Sequence, residues 1–506
     1  MRVPRVTPTT SAARASAEGQ GNVLAGGPVV ARPGSGDPGG QGSRLPASDL
    51  LGERDAWHLL RRAGFGAPAR EVAKLAGSSR AAAVDALLAV KPSAARAPAA
   101  PDAGLEALAG MQAWWLRRMA SPRYRLQEKM VLFWHDHFPS AVAVINRLDA
   151  LAEQNAMFRF HGLGPLRELL HQVTRNRAML EYLDGRRNRV GAVNENYGRE
   201  LMELFTLGPR DEEDLDNYSQ TDVMMLARAL TGFTYDPHLK KPPVYLEPTR
   251  FDALGKVLFS GRPFQQDGVL GVENPDGTLF SPETNVLDAL FAHRDTLGRP
   301  TLARFLVRKL WAWFASPDCD DELVTELASG FVSSDYRVSE LLRSLLTHDA
   351  FYSEEARSST PKTPVDFALQ ALLALGAKPN WSTLWRSLRR MGMDLFDPPG
   401  VEGWSQGAAW LATSRYLGRM ELAQWIASGR SPKTGFKFRP KLAPGATPMS
   451  LVDGALAQLG LEVSPATRQQ LIDYLSGGEF GSESWFEMKL RGLFALLLSL
   501  PEFQVH

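Results

Sequence analysis

Residues 194–208 read NENYGRELMELFTLG. At 100° per residue, Tyr197, Leu201, Leu204 and Phe205 fall on one face, which predicts an amphipathic helix with that face buried. Asn196, Glu200 and Glu203 then form a stripe at i, i+4 and i+7 along the edge of the apolar face. Glu195 and Arg199 lie further round, at the spacing of an ion pair. The stripe has two readings: a solvated charged face held by weak surface pairs, or one wall of an internal polar site.

The same 3.6-residue spacing recurs outward from this stretch, from Asp49 to the C-terminus, and alternation is rare. It predicts helices over 104–119, 122–137, 144–160, 219–231, 300–314, 364–376, 407–428 and 484–499, among others, joined by short Pro/Gly/Asn breaks. The fold class is therefore all-α: one large multi-helix globular domain over 49–506. Residues 233–283 include PVYLEP and KVLFSGRPF, which have strand character and predict one small inserted β-hairpin/loop region. A basic, Pro-punctuated connector at 429–447 reads as a loop. Residues 1–48 are rich in Gly and Pro and carry no aromatic residue, so a disordered segment is expected there.

Composition narrows the function. Over 506 residues, Lys and Arg total 57 against 56 Asp and Glu, a net charge of +1, which offers no field for nucleic acid or anionic lipid. Cys319, the single cysteine, excludes an internal disulfide and a thiolate zinc cluster within one chain, so any metal needs His and carboxylate ligands. No apolar run reaches the ~20 residues of a membrane span, so no integral membrane segment is expected. The N-terminus also lacks an apolar signal region, which predicts a cytoplasmic chain as it stands; a misplaced start would make it extracytoplasmic.

Three other segments bear polar groups at the core boundary. In LQEKMVLFWHDHF (126–138), Glu128, Leu132 and His135 share a stripe while His137 points the other way, so the two histidines cannot form one chelate. His161 closes the helix NAMFRFHGLG, a normal helix-end position. In TLARFLVRKLWAWF (301–314), Lys309 lies inside the apolar arc; either its stem reaches out to water, or its ammonium is buried against a carboxylate such as Glu200 or Glu203. The turn FDPPGVEGWSQG (396–407) fixes Trp404 between glycines, as a core plug or as a pocket wall. The acids of PRDEEDLDN lack calcium-loop spacing, Ser219 to Asp222 reads as a capping box, and no phosphate loop, nucleophile elbow or H-E-x-x-H is present.

Taken in order, HLLRRAGFG, EKMVLFWHDHF, HGLGPLRELL, AMLEYLDG, NENYGRELMELFTLG, YSQTDVMMLARALTG, PPGVEGW and LLLSLPEFQ resemble the bacterial domain-of-unknown-function 1800 family from about residue 55 to the C-terminus. The resemblance implies a set of featured positions: Glu128, His135, His137, His161, Asn194, Glu195, Asn196, Arg199, Glu200 and Glu203. It also implies an exported protein and a sulfatase-like partner. Two positions depart from the family pattern. Asp136 stands where Asn is usual, and FDALGK keeps Asp252 and Lys256 but puts Phe251 where a His is expected.

Two functions follow. In the first, the chain is a hydrolase-like enzyme on an envelope or glycan-type substrate, with Glu200, Glu203, His135 and Asp252 catalytic and Asn194, Glu195, Asn196, Arg199, Lys309, Trp404, Glu128, His137 and His161 around them. A divalent cation is one option there, held by Glu200 and Glu203. In the second, it is a non-enzymatic helical scaffold or binding partner whose charge network is structural. A concave pocket where the Glu200–Glu203 stripe meets His135, Asp252 and Lys309 separates the first from the second.

Overall fold

The expected helices are present in the computed structural model, which describes residues 50–91, 105–239, 242–261, 268–270, 282–429, 436–438, 440, 445–478 and 480–506. The disorder expected of 1–48, and most of the basic connector at 429–447, lie outside the described residues. The remainder is mostly helical, and Ser48–His506 hold together as one unit. Among the described residues, the strands lie in the inserted region, where Phe233–Thr234 pairs antiparallel with Tyr245–Leu246, and Lys256–Leu258 with Gly268–Leu270. Two ribbons thus stand where one hairpin is expected. No helix among the described residues is long and apolar enough to cross a membrane.

The helix Arg125–His137 runs through the centre, packed against Leu105–Met119 and Leu148–His161. Every one of its residues is buried except Asp136. A helix apolar on most sides belongs in a core, and its charges must be answered there. Glu128 accepts from Arg159 Nε at 2.6 Å and Nη2 at 2.7 Å, from Arg118 Nε at 2.8 Å and from Trp115 Nε1 at 3.0 Å. Lys129 donates to Asp366 at 2.6 Å, and Arg125 to Glu71 at 2.6 Å.

Local chemistry sets the breaks. Asn146 takes a left-handed conformation (φ 48°), so the helix expected over 144–160 is a short turn, Val142–Ile145, followed by Leu148–His161. The capping box is formed: Ser219 Oγ accepts from Asp222 N at 3.2 Å, and Asp222 Oδ2 accepts from Ser219 N at 2.7 Å, starting Gln220–Ala229. The helix expected over 407–428 divides into a 3₁₀ turn, Gly407–Leu411, and Thr413–Ser428.

The signature stretch departs most from its expected geometry. It is α-helical only over Asn196–Glu200 and continues as a π-helix over Leu201–Thr206, closed by Leu207 N donating to Met202 O at 2.9 Å. The wider turn shifts the phase of every later side chain. Met202 and Thr206 are buried alongside Tyr197, Leu201 and Phe205, whereas Leu204, expected on the buried face, is only half-buried.

Candidate functional site

A cleft of about 930 Å³ opens where the central helix ends. Phe133, Asp136 and His137 come from that helix, Leu204 from the π-helix, and Lys309, Ala312 and Trp313 from Thr301–Phe314; the loop 399–407 closes the far side with Glu402, Trp404 and Gln406.

The loop is fastened to Asp136. Trp404 N donates to Asp136 Oδ1 at 2.7 Å and Gln406 Nε2 to Oδ2 at 2.9 Å. Gly403 adopts φ +79°, and a Cβ there would sit 2.4 Å from Asp136 Oδ1 and 2.5 Å from Asp136 O, so only glycine allows this approach. The loop starts from strained backbone: Phe396, fully buried, holds φ +69° while its ring packs on Trp115 and His135.

Enclosure by protein pushes the Asp136 carboxyl up to about 7, against the Trp404 N–H, Lys309 and Gln406, which favour the ionised form. His137 moves the other way, to about 3, through burial and the nearby Lys309 ammonium. Its Nε2 donates to Phe205 O of the π-helix at 3.1 Å, and its ring stacks on Phe133 at an interplanar angle of 8°, so the neutral imidazole carries its proton on Nε2. Burial also lowers Lys309, with Asp136 and Glu402 opposing. Acid, imidazole and amine thus meet in one cleft beside two indoles, those of Trp313 and Trp404.

The residues singled out from the sequence separate. His137, Lys309 and Trp404 line the cleft. Glu200 and Glu203 flank it without lining it; Glu200 is half-buried and raised by burial, Glu203 and Glu402, while Tyr218 reaches Glu203 at 3.4 Å. The carboxylates acting on Lys309 are Asp136 and Glu402 and not Glu200 or Glu203. Glu195 and Arg199 form a part-exposed network at 3.0 Å, bridged by Gln220. Asn194 caps locally, its Oδ1 accepting from Asn196 N at 3.0 Å, and Asn196 is exposed.

His135 sits behind the cleft in a box of Trp115, Phe396 and Trp404 rings, lowered to about 3 by burial, with its Nε2 unpartnered among the described residues. Glu128 is consumed by its four donors, and His161 lies 3.8 Å from Glu168. Asp252 is held by Arg228 at 2.8 Å in the inserted region and does not line the cleft; Phe251 lies under Lys256, whose Nζ is 4.9 Å from the ring centroid. Among the described residues, no three His, Cys, Asp or Glu side chains are grouped to hold a metal ion.

Sequence reasoning passed over Asp136, Glu402, Gln406 and Trp313 as site residues. Asp136 carried one signal, an acid within a helix end of aromatic and histidine side chains, and the glycine before Trp404 carried another.

Compared with known proteins, the chain matches a family model described as "Protein of unknown function (DUF1800)" over residues 58–505. No curated protein and no solved structure matches it.

Proposed function

The chain belongs to the family of proteins of unknown function DUF1800, and from its cleft we propose an acid–base, hydrolase-like enzyme acting on a glycan-type envelope substrate. Asp136 carries the reading. A carboxyl held near neutrality at the wall of a concave site donates a proton and takes one back at physiological pH, the requirement for general acid–base catalysis. Neutral His137 and cationic Lys309 stand on the same wall, and the half-buried Trp313 offers a flat apolar face of the kind on which sugar rings rest, with the buried Trp404 behind the wall. The roles first given to Glu200 and Glu203 become those of flanking charges that set the field of the cleft. The featured sulfatase-like partner and the export implied by the resemblance are compatible with an envelope substrate.

The test is binding and turnover on a panel of neutral, aminated and sulfated oligosaccharides and cell-envelope polymers. Binding is read by tryptophan fluorescence and cleavage by release of reducing ends. Wild type should cleave a member of the panel and Asp136→Asn should lose at least about 10²-fold in rate. Equal rates in the two proteins sink the reading.

A scaffold remains the second reading, and one observation favours it: Glu128 is taken up entirely within the core by Arg159, Arg118 and Trp115, as a structural ion network would be.

A further inference from the structure

We infer that a second cavity binds a free α-amino acid with an apolar side chain, its carboxylate held by Arg61 and its ammonium by His58 and Glu502. The cavity shares no lining residue with the Asp136 cleft, so this goes beyond the acid–base reading.

The cavity, of about 530 Å³, lies where the helix Glu53–Arg62 meets Pro448–Leu459 and residues 501–506. It joins two stretches far apart in the chain: HLLRRAGFG supplies His58 and Arg61, and LLLSLPEFQ supplies Glu502. Most of its charges are answered within the fold. Arg54 pairs with Glu354 and Glu462, Arg357 pairs with Asp55, and His506 sits between Gln370 and Asp366. Glu53 is exposed, and three less exposed groups remain.

His58 is only 4 % exposed and donates from Nε2 to Phe351 O at 2.8 Å. The lone pair of its Nδ1 is then an acceptor with no hydrogen bond among the described residues. Burial and the guanidiniums of Arg62, Arg357 and Arg61 hold this histidine well below its ordinary pKa, so the imidazole stays neutral and Nδ1 stays an acceptor. Arg61 donates from Nη2 to Leu459 O at 2.6 Å and Gly460 O at 2.8 Å, with its Cζ 4.9 Å from the Trp57 ring centroid. Those contacts fix the guanidinium, while its Nη1 and Nε have no hydrogen bond among the described residues. Glu502 has neither a hydrogen bond nor an ion pair among the described residues, although its Oε2 is closed off from solvent. A carboxylate so enclosed costs free energy until a donor answers it.

These three groups make one recognition set. A fixed guanidinium with free N–H groups matches a carboxylate. A carboxylate and an imidazole lone pair together match an ammonium, which has three N–H groups and accepts nothing. A simple anion would meet Glu502 and the Nδ1 lone pair, both repulsive to it, and a simple cation would meet Arg61. The α-amino acid zwitterion carries the two required charges on neighbouring atoms. The apolar part of the wall, Leu456, Ala457 and Leu461, then suits an aliphatic side chain.

The experiment is isothermal titration calorimetry of the full chain at pH 7 with L-leucine, N-acetyl-L-leucine and L-leucinamide. L-Leucine should bind with a Kd below about 1 mM, and each derivative, which lacks one of the two charges, about 10-fold or more weakly. Glu502→Gln, in protein shown folded by its thermal melt, should weaken L-leucine by a similar factor. Ala457→Trp, at an exposed helix position on the cavity wall, should abolish binding. No saturable heat with L-leucine up to about 10 mM overturns the inference. So does undiminished binding in either variant, which would put the ligand elsewhere, and so does equal affinity for either derivative. None of the three probes has a glycosidic bond, so a failure on the oligosaccharide panel leaves this result standing.

Discussion

Asp136 accepts the backbone N–H of Trp404 at 2.7 Å, so one carboxyl ties the end of the central helix to a loop 268 residues further along the chain. That contact creates the cleft and sets its chemistry together. The loop supplies two donors to the carboxyl, and in covering it removes the water that would otherwise keep the acid ionised.

The first prediction is a stability profile. The Asp136 carboxyl is raised in the folded chain from 3.8 to about 7, so between those values the folded protein holds a proton that the unfolded chain has released. Stability from this group therefore falls as pH rises across that window. Asp136→Asn should remove the decline, matching wild type near pH 4 and exceeding it at pH 8 by on the order of 2 kcal/mol, with Gln406 turning its amide to suit. Parallel urea melts at the two pH values decide it; a wild type no less stable than the variant at pH 8 contradicts the buried-acid account.

How much of this was legible in sequence turns on particular residues. The class was, because Tyr197, Leu201 and Phe205 keep helical spacing and are buried as expected. The face of Leu204 was not, because spacing arguments assume a constant 100° per residue and nothing in ELMELFT announces a π-turn. Asp136 lay in plain view between two histidines, but its partner is a main-chain N–H far along the chain, and main-chain partners leave no mark on composition. Lys309 was recognised by its place in an apolar arc, whereas its carboxylate neighbours depended on tertiary packing.

Gly403 gives the second prediction. Gly403→Ala and Gly407→Ala both put a Cβ on left-handed backbone, at φ +79° and +58°, each costing about 1–2 kcal/mol. Only the Gly403 methyl meets Asp136, whereas nothing lies within 4 Å of the Gly407 position. Gly403→Ala should thus cost clearly more than Gly407→Ala in thermal melts and displace Trp404, seen as a red shift of its fluorescence. Equal costs would remove the Asp136 approach as the reason for glycine.

Glu128 and Glu195 form the third. Both belong to the featured set, yet Glu128 is buried under four donors and Glu195 is part-exposed beside Arg199. Glu128→Gln should destabilise by about 3–5 kcal/mol, because Arg159 keeps its charge in the core. Glu195→Gln should change stability by no more than about 0.5 kcal/mol. Chemical denaturation of the pair reads the difference, and a mild Glu128→Gln would show that the core network tolerates an unanswered guanidinium.

The last prediction separates the two roles of His137, as a titrating group and as a donor to the π-helix. Burial lowers its pKa from 6.5 to about 3, so in that range the unfolded chain binds a proton that the folded chain refuses, and stability is lost as pH falls below about 6.5. His137→Gln keeps an N–H donor for Phe205 O but cannot titrate, so it should hold its stability on going from pH 7 to pH 4.5 better than wild type does. His137→Phe also cannot titrate, but it leaves the Phe205 carbonyl buried and unpaired, costing about 1–3 kcal/mol at every pH. The Gln and Phe variants should therefore run parallel in pH and differ by a constant. If they coincide, the hydrogen bond to the π-helix contributes nothing; if both follow the wild-type acid limb, His135, lowered to about 3 in its aromatic box, is the group that sets it.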